Sequence, residues 1–164
     1  MILSQKALLY DIANMAFVIA DSAIPSHSLH QVRDICEEGN ISRVARILSL
    51  AYSDILHSLA PVLESKVIDI DVECPENNCS FEISLSENPD LKFLLTPEVK
   101  LKIKETAHEY MVCMALYDWL GVTLPPAADV WKYRAETALE SLKGIAASVC
   151  GNSLQAFRRK LNPF

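Results

Sequence analysis

The sequence predicts a mainly α fold: a helical bundle of four to five helices with an inserted two-stranded β-hairpin. Three observations carry this. Over most of the chain, apolar residues recur at three- and four-residue spacing, the period of a helix with one buried face. The period changes to two only at about 67–85, on both sides of a turn-rich tetrapeptide. Finally, 164 residues with a hydrophobic fraction of 51% and a charged fraction of 22% suit one ordinary core. The domain is expected to span 1–151, with a basic C-terminal tail over 152–164.

The first helix is expected from Ser4 to about Ala20, ending near Ile24-Pro25. Its stretch from Ala7 to Ala20 is the most hydrophobic part of the N-terminal region, but Asp11, Asn14 and Asp21 interrupt or close it. A spanning helix needs about 20 apolar residues with few charges, so this one reads as a buried helix and not a membrane span. It lacks the basic flank and small-residue cleavage site of a signal peptide, and the cytoplasm is the expected compartment. Ser28 and Gln31 then form a capping-box pattern for a short helix with the stripe Leu29, Val32, Ile35. Gly39 is expected to stop it, and Asn40 to cap the next.

That next helix has the clearest period in the chain: Ile41, Val44, Ala45, Leu48, Tyr52, Ile55, Leu56, Leu59 and Leu63. In the hairpin, Ile68, Ile70, Val72 and Cys74 alternate with Asp69, Asp71 and Glu73. After Pro75-Glu76-Asn77-Asn78, Cys79, Phe81, Ile83 and Leu85 alternate with Ser80, Glu82 and Ser84. One face is apolar and the other acidic. Ser86 to Leu95 reads as a connector. Thr96 and Pro97 start a helix whose segment Met111 to Leu116 is apolar all round, and Gly121 is its expected stop. Pro125-Pro126 opens the last helix, with the seam Trp131, Ala135, Ala138, Leu142, Ile145 and Val149, and Gly151 is expected to end it.

No constellation in the sequence assembles an active site, and no enzyme, cofactor or metal is expected. Cys74 and Cys79 flank the hairpin turn; they read as a cross-strand pair able to form a disulfide if oxidised, against half of a zinc site with no second pair. His108-Glu109 starts like a zincin helix, but Val112 and Cys113 stand where the second histidine belongs, so His108 reads as structural or surface. His27, His30 and His57 are scattered. Four glycines leave no phosphate-cradling loop.

Two surfaces remain as candidate partner contacts. Asp69, Asp71 and Glu73 give the hairpin an acidic face, suited either to a divalent cation or, more simply, to keeping a strand edge from sticking. Arg158, Arg159, Lys160 and Phe164 lie in a tail without acids. The net charge is −6, and from Gly151 onward the chain carries three bases, so the remainder carries −9. An acidic body with a basic tail suits docking between subunits. Direct nucleic-acid binding is expected only, if anywhere, through that tail.

Two stretches also carry a resemblance. Gln31-Val32-Arg33-Asp34-Ile35-Cys36-Glu37-Glu38-Gly39-Asn40-Ile41-Ser42-Arg43-Val44, and His108-Glu109-Tyr110-Met111-Val112-Cys113 through Tyr117-Asp118-Trp119-Leu120 followed by Trp131, resemble a family encoded in prophages and mobile regions of Bacteroidetes genomes, a family without known chemistry. The last two helices, with their Pro-marked turn, are similar in layout to head–tail connector (head-completion) proteins of tailed phages. The resemblance implies a non-enzymatic, ring-forming neck adaptor whose partners are itself and neighbouring virion proteins. The alternative is a small cytoplasmic protein-interaction or regulatory helical domain.

Overall fold

The computed structural model of the chain describes residues 1–22, 29–64, 80–86 and 88–161, with the backbone alone for 29, 90 and 152–161. Strand β1 (Ile2–Ser4) leads into helix α1 (Gln5–Ser22). Helix α2 (Leu29–Arg33) runs into a 3-10 turn over Asp34–Cys36, and helix α3 (Glu38–Leu59) into another over Ala60–Val62. Strand β2 (Ser80–Glu82), the short helix α4 (Pro89–Lys92) and the long helices α5 (Pro97–Thr123) and α6 (Pro125–Leu161) follow. The fold is mainly α, with one small two-stranded antiparallel sheet.

Helix α5 is the centre of the bundle. In its apolar run Met111, Val112, Cys113, Ala115 and Leu116 are buried and Met114 is half-buried, so neighbours cover most of its circumference. Helices α1, α2, α3 and α6 all pack on α5. The period seen in α3 buries Val44, Leu48, Tyr52, Ile55, Leu56 and Leu59. On α6 the seam is Trp131, Ala135, Ala138, Leu142, Ala146 and Val149, with Ile145 at its edge. Thr96 caps α5 as its sequence predicts: the hydroxyl accepts from the Val99 N–H at 3.4 Å, and Pro97 holds the first turn.

Among the described residues the small sheet is formed by β2 and β1. β2 pairs antiparallel with β1, in the register Ile2 to Glu82, Leu3 to Phe81 and Ser4 to Ser80. On the other edge of this segment, Leu63 faces Leu85, with the Glu64 N–H on the Ser84 carbonyl at 3.1 Å and the Ser86 N–H on the Val62 carbonyl at 2.9 Å. The expected first arm and turn lie outside the described residues, as do Ser28 and the Ile24-Pro25 break. Ser4 therefore ends a strand, and the first helix starts one residue later.

Helix α1 is not buried all round. Gln5, Leu8, Ile12, Ala16 and Ala20 form its buried stripe, while Tyr10, Met15, Phe17 and Val18 are exposed. The glycine stops also differ. Gly39 lies in the first turn of α3, whose N-cap is the extended Glu37, and the Asn40 amide donates to the Asp34 carbonyl at 2.8 Å instead of capping a helix. α5 passes Gly121 by two residues, ending where the Leu124 N–H meets the Leu120 carbonyl at 2.8 Å, and α6 continues through Gly151. A glycine stops a helix by adopting positive φ, and no glycine does so here. The connector before Thr96 contains α4, a single turn too short for an apolar period to reveal.

Candidate functional site

The residues expected to meet partners fall on the least described parts of the chain. Asp69, Asp71, Glu73, Cys74, Cys79 and Phe164 lie outside the described residues. Arg158, Arg159 and Lys160 lie on the last turns of α6, where the backbone is helical. They belong to a continuation of α6, the longest helix among the described residues.

The described residues bring together groups that no local spacing reveals. Across the α1–α5 seam, His108 Nε2 lies 2.7 Å from Asp11 Oδ2, so the histidine has the acid partner that its own helix lacks. His108 also lines a shallow groove of about 370 Å³ beside β1, together with Leu3, Leu101, Lys104, Glu105 and Glu109. Leu3 is buried and Leu101 exposed, so the groove has an apolar floor with charged sides. A dyad of histidine and carboxylate can orient and polarise a nucleophile. The pair joins α1 to α5.

Two further polar contacts tie α3 to α5. The Tyr110 hydroxyl donates to Asp54 Oδ2 at 2.9 Å. Burial pushes the Tyr110 phenol well above its usual range, and the hydrogen bond to Asp54 and the negative charge of Asp54 add to the shift. Arg43 donates from Nε to Asp118 Oδ2 at 2.9 Å and from Nη2 to the Asp118 carbonyl at 3.3 Å, with its guanidinium 5.7 Å from the Trp119 ring centroid. The indole N–H of Trp119 donates to the Val32 carbonyl at 3.2 Å. The two stretches that carry the sequence resemblance therefore touch through Arg43–Asp118 and Val32–Trp119.

The thiols are placed for packing. Cys113 is buried, and burial first, then the charge of Glu109, pushes it up to about 11 against the opposing effect of Arg134. Cys36 is raised by burial, and its Sγ sits 3.4 Å from the Leu9 carbonyl. Such thiols hold their protons at neutral pH and are poor nucleophiles. Among the described residues, no three metal-ligating side chains converge, and no buried side-chain nitrogen or oxygen lacks a hydrogen-bond partner. Among the same residues no helix is long and apolar enough to cross a membrane.

Among the described residues, the outer face of α1 gathers large apolar side chains that the core does not use. Tyr10, Phe17 and Val18 are 68%, 53% and 60% exposed and recur at seven- and eight-residue spacing, two helical turns apart on one face. The polar residues around them include Asp11 and the Asp21–Arg33 pair, and the Arg33 guanidinium lies 4.8 Å from the Phe17 ring centroid. Sequence reasoning missed this face because the stretch is apolar enough to pass for a fully buried helix. Its signal was the size of the residues: the small Ala16 and Ala20 face inward, the large Tyr10 and Phe17 outward. No protein-family model, curated protein or solved structure matches the chain.

Proposed function

We propose that the protein is a non-enzymatic structural component that works by self-association, as a head–tail neck adaptor of a phage or prophage particle. The exposed apolar face of α1 is the observation that carries the self-associating part. Large apolar side chains gathered on one helix face, rimmed by charge, are the usual mark of a surface covered by another protein. The resemblance of the two stretches at Gln31–Val44 and His108–Leu120 supports the phage setting. The polar pairs Arg43–Asp118, His108–Asp11 and Tyr110–Asp54 each join two helices, which suits a structural role.

Sedimentation equilibrium on the full chain tests this reading. The expected result is a multimer that loses mass when Phe17→Glu and Val18→Glu place charges on the α1 face. Both positions are exposed, so the variant folds and its circular dichroism stays that of the parent. A chain that stays monomeric up to about 1 mM, the weak end of ordinary association, and that fails to bind the purified products of its neighbouring virion genes sinks the proposal. A monomer that instead binds one host protein points to the small regulatory domain.

A further inference from the structure

The outer stripe of α1 has an internal symmetry. Lys6, Tyr10, Asn14, Phe17 and Asp21 are all exposed and follow one another at four-, four-, three- and four-residue spacing. At 3.6 residues per turn they occupy about a quarter of the helix circumference, opposite the buried stripe. The midpoint between Lys6 and Asp21 falls between Ala13 and Asn14, and so does the midpoint between Tyr10 and Phe17. About that one point a base mirrors an acid, and one aromatic ring mirrors the other.

The two charges also stand at the ends that an isolated helix disfavours. Lys6 lies in the first turn of α1, where free N–H groups gather partial positive charge, and Asp21 in the last, where free carbonyls gather negative charge. The helix has no acid in its first turn and no base in its last. Lys6 enters no ion pair among the described residues. Asp21 pairs with Arg33 at 3.3 Å, yet its side chain stays 72% exposed and open to a second cation. An antiparallel neighbour of the same sequence reverses both disadvantages. It brings Lys6 to the negative end of a facing helix and Asp21 to the positive end. A parallel neighbour would instead set base on base and acid on acid.

We propose that two copies of the chain pair through α1, antiparallel, about a two-fold axis that crosses the helix between Ala13 and Asn14. Tyr10 then packs on the partner's Phe17, and Lys6 meets the partner's Asp21, each contact being made twice. The Asn14 amides of the two copies flank the axis, where a polar pair in an apolar seam fixes the register. The contact is isologous and closes at two copies, so any larger ring uses a further surface as well. This inference rests on the self-association reading and supplies its partner, orientation and register.

A charge-swap series in the full chain tests it, with the dissociation constant from sedimentation equilibrium as the readout. The variants are Lys6→Glu, Asp21→Lys and the two together. Each places a charge where the dipole of α1 favours it, so the helix is kept, and circular dichroism confirms this. Either single change turns two attractive contacts per dimer into repulsive ones and is expected to weaken association about tenfold. The double variant is expected to recover it, because Glu at position 6 again faces Lys at position 21. A parallel pair would show the opposite pattern, with neither single change weakening it. Raising the salt from about 50 to about 500 mM is expected to bring parent and single variants together. If the parent associates but the single changes leave it unaltered, or the double variant fails to recover, the antiparallel pairing is wrong while self-association stands. A parent that never associates removes both.

Discussion

The Tyr52 hydroxyl donates to the backbone carbonyl of Glu82, fastening the middle of α3 to β2. The same ring lies 5.1 Å from Phe81, centroid to centroid, at a tilted 48°. One tyrosine thus supplies both an apolar contact and a hydrogen bond to the small sheet. Tyr52→Phe keeps the ring packing and removes only the hydroxyl. The expected loss is about 1 kcal/mol in urea denaturation, the usual net value of one such bond. Amide exchange should rise at Ser80–Glu82 while the centre of α5 stays protected. An unchanged exchange pattern would mean that this bond does not hold the strand.

High pH acts through the tyrosines. Both Tyr110 and Tyr52 have phenols raised by burial, Tyr110 with help from Asp54 and Tyr52 with help from the charge of Glu82. The folded chain therefore keeps these protons at a pH where the unfolded chain releases them. Stability is full below the ordinary tyrosine value near 10 and falls as pH rises above it, by at most about 1.4 kcal/mol per pH unit for each phenol. Tyr110→Phe should flatten that fall without abolishing it, because Tyr52 remains. Denaturation midpoints at a series of pH values between about 8 and 11 read this directly, and equal slopes in parent and variant would refute it.

Gly144 sits in the middle of α6 with ordinary negative φ and nothing within 4 Å of where a Cβ would stand. Nothing in the fold requires glycine there. Gly144→Ala is expected to stabilise the chain by about 0.5–1 kcal/mol, chiefly by restricting the unfolded state. A raised thermal midpoint checks this, and a lowered one would reveal a contact that needs the bare backbone.

The thiol of Cys113 should behave as a core atom. Iodoacetamide at pH 8 is expected to leave it unmodified in the folded protein and to alkylate it in denaturant, as peptide mass spectrometry would show. Equal rates in the two states would contradict its burial.

The parts legible in the sequence are those decided within a few turns of chain. The stripe of α3, the apolar run at Met111–Leu116 and the Thr96 cap need only local spacing and local bonding; they stand as read except that α3 ends at Leu59, short of Leu63, and Met114 is only partly buried. The pairings of His108 with Asp11, Arg43 with Asp118, and Tyr110 with Asp54 join residues on different helices, where no periodic rule applies. The same holds for β1, three residues without an alternation long enough to count, whose partner strand lies far along the chain. The outer face of α1 was hidden by composition: Phe17 and Val18 would suit a core as well as a contact surface, and only the placement of α5 decides which.

The pairing of Ile2–Ser4 with Ser80–Glu82, and of the α1 stripe with α5, orders events during synthesis. α1 can coil as soon as it leaves the ribosome, but Leu8, Ile12 and Ala16 have no α5 to cover them until the chain has passed Pro97. For that interval only α2 and the turn after it can shelter the inner side of α1, and the part that α5 will cover stays open, the kind of surface that chaperones hold and that aggregates when they do not. The helix whose outer face stays exposed in the finished fold is thus also one whose inner face is completed late while the fold is being made.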